Sequence, residues 1–236
     1  MNSALAALPA SRVAEYSALL PLSQHITRVE LTWDPHVGGA GMLRAGCDQH
    51  MFAAGRQLPQ LKQLVLGAPA SFWDWAGTSD QYAMRVKGVG PCLGEGSLSR
   101  LVSCCPGPEQ LWIAGLMQPG AAVYNNMKPL LRLTALRELC VGGRAVNDDV
   151  ACFVLARLSS LQRLGVFAAG NFTDEGLRAL TRLQQLQHLE VVGCGISAEV
   201  STNILACYNS RWYDSDDERS IKPRIQLKQQ DPLPPV

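Results

Sequence analysis

Hydrophobic residues in the C-terminal half of the chain recur with a fixed period. Leu136–Val141 reads L-R-E-L-C-V, and Leu161–Val166 and Leu186–Val191 repeat its two leucines and its valine at steps of 25 residues. After the second leucine of each segment, apolar positions alternate with others, which is typical of a short strand with one buried face. The pattern therefore predicts a strand in each segment.

The same pattern continues into the N-terminal half with less regular spacing. Segments that begin at Ile26, Leu61 and Pro108 align with the three above, and Arg224–Leu227 is a candidate seventh strand. The first six segments start 35, 47, 28, 25 and 25 residues apart. We therefore expect insertions in the early repeats.

Two insertions account for this irregular spacing, one near residues 34–57 and one near 68–93. The second contains Phe72, Trp73 and Trp75. A loop of this length is uncommon in a compact domain unless it has a function. Its aromatic side chains either attach the loop to the rest of the domain or contact a partner.

Helical segments lie between the strands. Thr173 is followed by two acidic residues and by leucines at helical spacing, which indicates an N-cap and a helix start. Asn147 opens an equivalent helix one repeat earlier. Residues 97–105 form another helix, which ends where Pro106 prevents its continuation, and residues 11–20 form a further one.

Strands and helices that alternate with this period predict an α/β solenoid, because each repeat can bury its apolar strand positions only against the next. We expect about six repeats, with a curved parallel sheet on the concave face and helices on the convex face. The repeat domain would occupy residues 1–228, and a disordered Pro-rich tail would occupy residues 229–236.

These segments resemble the leucine-rich repeat superfamily, specifically its ribonuclease-inhibitor-like and cysteine-containing subclasses. The phrases that carry the resemblance are Leu186–Ser197 and Phe172–Leu177. Leu101–Pro106 is similar to the helix end of F-box leucine-rich repeat proteins. Most members of the superfamily are protein-binding scaffolds, so the resemblance implies a non-enzymatic interaction module.

The chain departs from the family pattern in two turns. The third position after the last strand hydrophobe is expected to be Asn or Cys; Cys194 fits, whereas Arg144 and Ala169 do not. We therefore expect those two turns to be stabilised in another way. No F-box precedes the repeats in this sequence, since residues 1–25 are too few and read as the helix of a first repeat. An array that starts in the middle of a repeat indicates a fragment, a truncated gene model or an end covered by a partner.

Composition excludes some classes of partner. Charged residues make up 17% of the 236 residues and the net charge is +1, so we expect neither nucleic acid nor an anionic membrane as a partner. No run of about eighteen apolar residues predicts a transmembrane helix. The N-terminus lacks a secretory signal, so we expect a cytoplasmic protein, with nuclear or axonemal sites as alternatives.

The residues that could carry chemistry have no recognisable arrangement. The eight cysteines include no C-x-x-C pair, and the adjacent Cys104 and Cys105 suit neither zinc nor a disulfide. We expect free, mostly buried thiols, no metal and no cofactor. His188 and Glu190 share a strand face, but no nucleophile accompanies them, so we predict that the chain is not an enzyme.

The strand residues between the buried leucines predict a binding surface on the concave face. Aligned strands place an apolar floor through the middle of the array and charged residues at its rim, which is the usual anatomy of a protein-binding face. Alternatively, small residues only permit curvature, and Trp112 packs beneath the 68–93 insertion. The predicted contact set is Trp112, Glu138, Arg163, Phe167, His188 and Glu190.

Two further functions stay open at this stage. The likeness at Leu101–Pro106 suggests the substrate-recognition part of an F-box-type ubiquitin ligase receptor, which would bind a ligase adaptor if an F-box exists upstream. The low content of charged residues suggests a structural subunit of a larger assembly, such as a ciliary axoneme. The identity of the partner protein does not follow from any of these patterns.

Overall fold

A computed structural model describes residues 25–31, 58–66, 96–113, 123–143, 146–167, 169–200, 202–204, 206 and 224–228. Several sequence predictions fall outside these ranges: the helix at residues 11–20, both insertions, the turn at Arg144 and the Pro-rich tail. The domain limits and the number of repeats therefore stay predictions.

Seven parallel strands form one sheet, and their order in the sheet is their order in the chain. Each predicted strand is present, including the seventh. The strands are β1 (Arg28–Leu31), β2 (Gln63–Leu66), β3 (Gln110–Trp112), β4 (Glu138–Gly142), β5 (Arg163–Phe167), β6 (His188–Val192) and β7 (Arg224–Lys228).

The second leucine of the repeat forms a continuous buried column across the sheet. Leu139 pairs with Leu164, and Leu164 pairs with Leu189, in the strand register. Because adjacent parallel strands lie about 4.8 Å apart, these side chains are direct neighbours. The column members exposed by 2% or less are Val29, Leu64, Leu111, Leu139, Leu164 and Leu189.

The register is maintained across the insertions by a recurring hydrogen-bond pattern at the strand starts. The carbonyl of Thr27 accepts the amides of Lys62 and Gln63 at 2.8 and 3.0 Å. The carbonyl of Arg137 accepts the amides of Gln162 and Arg163 in the same way, at 2.8 and 2.9 Å. The stacking of repeats therefore follows one rule both in the irregular and in the regular part of the chain.

Helices pack against one face of the sheet and enclose the core. The described helices are α1 (Ser97–Cys104), α2 (Val123–Met127), α3 (Asp148–Phe153) and α4 (Asp174–Leu180). Short 3₁₀ helices at Lys128–Arg132 and Leu155–Arg157 follow α2 and α3. Residues 198–200, 202–204 and 206 are also helical.

The predicted helix starts at Asn147 and Thr173 are confirmed. The Asn147 side chain accepts the Val150 amide at 2.9 Å, and Thr173 Oγ1 accepts the Glu175 amide at 3.4 Å. Two acidic residues follow each cap, where they interact favourably with the helix dipole. Local sequence therefore determines where these helices begin.

A single aspartate joins the third and fourth helices across the repeat boundary. Asp148 Oδ1 accepts the amides of Thr173 and Gly176 at 2.7 and 3.0 Å, and Asp148 Oδ2 accepts the Thr173 hydroxyl at 2.6 Å. Asp174 repeats the arrangement with Ser197, accepting its amide at 2.8 Å and its hydroxyl at 2.7 Å. We call these contacts the Asp148 rung and the Asp174 rung.

The two rungs lie at the helix starts that follow the Ala169 and Cys194 turns. The carbonyl of Ala169 accepts the Phe172 amide at 2.9 Å. At the position that fits the family pattern, Cys194 Sγ lies 3.8 Å from the Val166 carbonyl oxygen of the preceding repeat. Burial raises the pKa of the Cys194 thiol to about 12, so it stays protonated and able to donate.

Candidate protein-binding surface

The face of the sheet that points away from the helices carries the residues predicted to bind a partner. We call it the outward face; it is the face on which the sequence predicts concave-side binding. Strand register places Glu138, Arg163 and His188 side by side on β4, β5 and β6, at the start of each strand. Two residues further along the strands, Trp112 and Glu190 lie in the next row on this face. Phe167 lies in the row after that, another two residues on.

The first row is polar and half-exposed. Arg163 Nη1 lies 3.4 Å from Glu138 Oε1, and the two side chains are 36% and 16% exposed. His188, the next residue in the row, is also half-buried. The Arg163 side chain therefore contacts Glu138 while staying partly exposed to solvent.

The expected apolar floor is not an exposed patch, and Glu190, expected at its charged rim, is buried as well. Trp112, Phe167 and Glu190 are each only 2% exposed within the single chain. Val65 and Val192 are also buried, and none of these residues belongs to the main core cluster. The floor is a second buried layer on the outward face.

Alternation of small and large residues explains how this layer packs on β5. A Cβ atom on Gly165 would lie 2.9 Å from Phe167 Cζ, and one on Gly142 would meet the Phe167 carbonyl oxygen. The Phe167 ring therefore occupies the space above Gly165 on the same strand. The alternative that placed Trp112 beneath the 68–93 insertion concerns residues outside the described part of the chain.

A second charged row, which sequence reasoning missed, lies just before the strands. Lys62 Nζ is 3.0 Å from Glu109 Oε1, and both side chains are exposed. The hydrogen bond and charge of Lys62 lower the pKa of Glu109, and the charge of Arg137 lowers it further. The signal was available, since all three residues stand at the second position of an aligned segment, immediately before a strand.

Within the ranges given above, no group of three His, Cys, Asp or Glu side chains is placed to hold a metal ion. Over the same ranges, no helix has both the length and the apolar character needed to cross a bilayer.

Comparison with known proteins adds little to this geometry. No family model matches the chain, and no curated protein matches it. Among solved structures, it is similar to a leucine-rich repeat protein from Leptospira interrogans, with 16% identity and a TM-score of 0.35. That match covers 82% of this chain, which spans about half, 49%, of the other protein. The solenoid fold therefore rests on the strand register described above.

Proposed function

We propose that this chain is a non-enzymatic interaction module that binds a protein partner on the outward face of its sheet. The observation that supports this most is the polar row of Glu138, Arg163 and His188, which the strand register holds at regular spacing. A rigid array of partly exposed polar side chains is suited to recognising another protein surface.

Arg163 is the proposed anchor of this row. Arginine is enriched among residues that dominate binding energy. Its ion pair with Glu138 limits its conformations before binding, and this reduces the entropy lost when a partner is engaged. Its side chain is 36% exposed, so a carboxylate or carbonyl of the partner could reach it.

The buried members of the predicted set have a supporting role in this proposal. Trp112, Phe167 and Glu190 lie one or two rows beyond the polar row on the same face. Because they are almost fully buried, they fix the position of the polar row instead of contacting a partner in the closed state. They stay candidate contacts only if binding exposes them.

Affinity capture with a matched pair of charge reversals tests the proposal. Arg163→Glu changes the polar row, whereas Arg178→Glu makes the same change at an exposed position of α4. We expect Arg163→Glu to abolish recovery of a partner that the unmodified chain and Arg178→Glu both retain. Equal recovery with both variants, each verified as folded by circular dichroism, would reject the outward face.

A second variant tests whether Trp112 supports the polar row or contacts the partner directly. Trp112→Phe keeps an aromatic ring in the buried layer but removes the indole N–H. If the support role is correct, this variant retains at least half of the partner recovery. The ubiquitin ligase receptor and axonemal functions stay predictions, since no observation on the described residues is specific to either.

A further inference from the structure

A column of arginines runs along one edge of the solenoid. Arg132, Arg157 and Arg182 are exposed and lie 25 residues apart. Each immediately precedes a buried leucine of the turn that leads into the next strand. The three arginines therefore occupy the same position in three successive repeats.

Contacts between the turns place these arginines next to one another. The Ser160 hydroxyl donates to the carbonyl of Thr134 in the preceding repeat at 2.9 Å. The turns that contain these two residues follow directly after Arg132 and Arg157. The arginine side chains of neighbouring repeats therefore project from adjoining segments of the same edge.

Cationic residues at the starts of the strands extend the arginine column. We call the column and these residues together the basic edge, and in the described part of the chain it carries seven cations and two carboxylates. The carboxylates, Glu109 and Glu138, already lie within ion-pair distance of Lys62 and Arg163. The cations are Arg28, Lys62, Arg132, Arg137, Arg157, Arg163 and Arg182.

The opposite edge of the C-terminal repeats is acidic. Its carboxylates are Asp148, Asp149, Asp174, Glu175 and Glu199. The helix dipole accounts for the sign of both edges, since acids are favoured at helix starts and bases at helix ends. The two edges differ in how their charged side chains are bonded within the chain, however. Asp148 and Asp174 are engaged in the inter-repeat rungs, whereas the column arginines take part in neither the Lys62–Glu109 nor the Glu138–Arg163 ion pair.

We propose that the basic edge, centred on Arg132, Arg157 and Arg182, docks an acidic segment of a protein partner. This inference deepens the proposed function and rests on it. Guanidinium groups bind carboxylates with two parallel hydrogen bonds, and the repeat supplies three such groups at regular spacing. A nucleic acid is the less suitable ligand because the whole chain has a net charge of only +1 and lacks the excess of positive charge that phosphate backbones attract.

Binding of a fluorescein-labelled octaglutamate peptide, followed by anisotropy at low salt, tests this proposal. We expect saturable binding by the unmodified chain that weakens as salt is added. A triple variant, Arg132→Gln, Arg157→Gln and Arg182→Gln, is expected to bind about tenfold more weakly, since each exposed charge pair contributes modestly. Arg178→Gln removes a single charge in the last turn of α4, beside the column, and should weaken binding less than the triple variant does.

Three outcomes would overturn the proposal. The first is an absence of octaglutamate binding by the unmodified chain. The second is a weakening by Arg178→Gln alone that equals the weakening by the triple variant. The third is tighter binding of a labelled single-stranded RNA of eight nucleotides, which would assign the edge to nucleic acid. Arg163 belongs to both surfaces, so the triple variant, which leaves Arg163 unchanged, distinguishes the two proposals. Full capture of the partner by the triple variant, with loss of capture by Arg163→Glu, would support the outward face and reject the basic edge.

Discussion

The ring of Phe167 lies over Gly165, two residues earlier on the same strand, at a distance that leaves no room for a Cβ atom. This relationship explains how a large aromatic side chain is buried on the face of the sheet that faces away from the helices. It also explains why a strand that otherwise consists of large side chains contains a glycine at this position.

Replacement of Gly165 by alanine should therefore destabilise the protein. The added methyl group would force the Phe167 ring to move, and overpacking of this kind costs about 1–3 kcal/mol. Urea denaturation measures the effect as a lower midpoint. Gly107→Ala is the control, because a Cβ at Gly107 meets nothing within 4 Å, and an equal loss of stability in both variants would contradict the packing described here.

The Asp148 rung should couple two helices energetically. Asp148→Ala removes three hydrogen bonds to the start of α4, and we expect it to lower the free energy of unfolding by about 1–3 kcal/mol. A double-mutant cycle with Thr173→Ala should give a coupling energy of about 1 kcal/mol. Asp149→Ala, an exposed neighbour in the same helical turn, is expected to show no coupling to Thr173→Ala.

The strand pattern could be predicted from the sequence because it is local. Each of the first six strands begins two residues after the predicted start, for example at Glu138 instead of Leu136. The reason is that Leu136 belongs to the turn, where its amide donates to the Leu133 carbonyl at 3.1 Å. Its burial resembles that of a strand residue, so the hydrophobic pattern alone does not distinguish the two.

The pH dependence of the Asp174 rung follows from its hydrogen bonds. The amide of Ser197, and then its hydroxyl, hold the pKa of the Asp174 carboxyl below its ordinary value. A carboxyl whose pKa is lower in the folded state stabilises the fold above its unfolded pKa, and that contribution is lost as the pH falls through the folded pKa. We therefore expect the rung to be intact at neutral pH and to weaken below about pH 4.

An NMR titration of the Asp174 carboxyl carbon measures this shift directly. In Ser197→Ala the hydroxyl donor is removed while the amide remains, so the pKa of Asp174 should rise part of the way towards its ordinary value. An identical titration curve in the two proteins would show that the Ser197 hydroxyl does not contribute.

Thiol reactivity should follow burial. Burial, with a smaller contribution from Cys104, raises the pKa of Cys105 to about 12. Burial and the charges of Glu175 and Asp148 also raise the pKa of Cys152, but Cys152 is half-exposed. Since the thiolate is the reactive form, we expect iodoacetamide to alkylate Cys152 well before Cys105 in the native protein. Peptide mass spectrometry gives the order, and alkylation of Cys105 as rapid as that of Cys152 without unfolding would contradict the structure.

The functional surface was only partly predictable from sequence. The adjacency of Glu138 and Arg163 follows from the 25-residue period, and their ion pair is present. The burial of Trp112 does not follow, because the repeat pattern defines which residues face the core but not what lies against the other face. The Asp148 rung was missed although its signal exists: Asp148 and Asp174 each follow a helix cap, at 26-residue spacing.

The stacking of consecutive repeats into one sheet is tested most directly by nuclear Overhauser effects between leucine methyl groups. In protein with labelled leucine methyls, Leu139 should show contacts to Leu164, and Leu164 to Leu189, because each pair is in register on adjacent strands. Single Leu→Ile replacements assign the signals. If the folded protein shows neither contact, the three leucines occupy separate environments and the solenoid described here is incorrect.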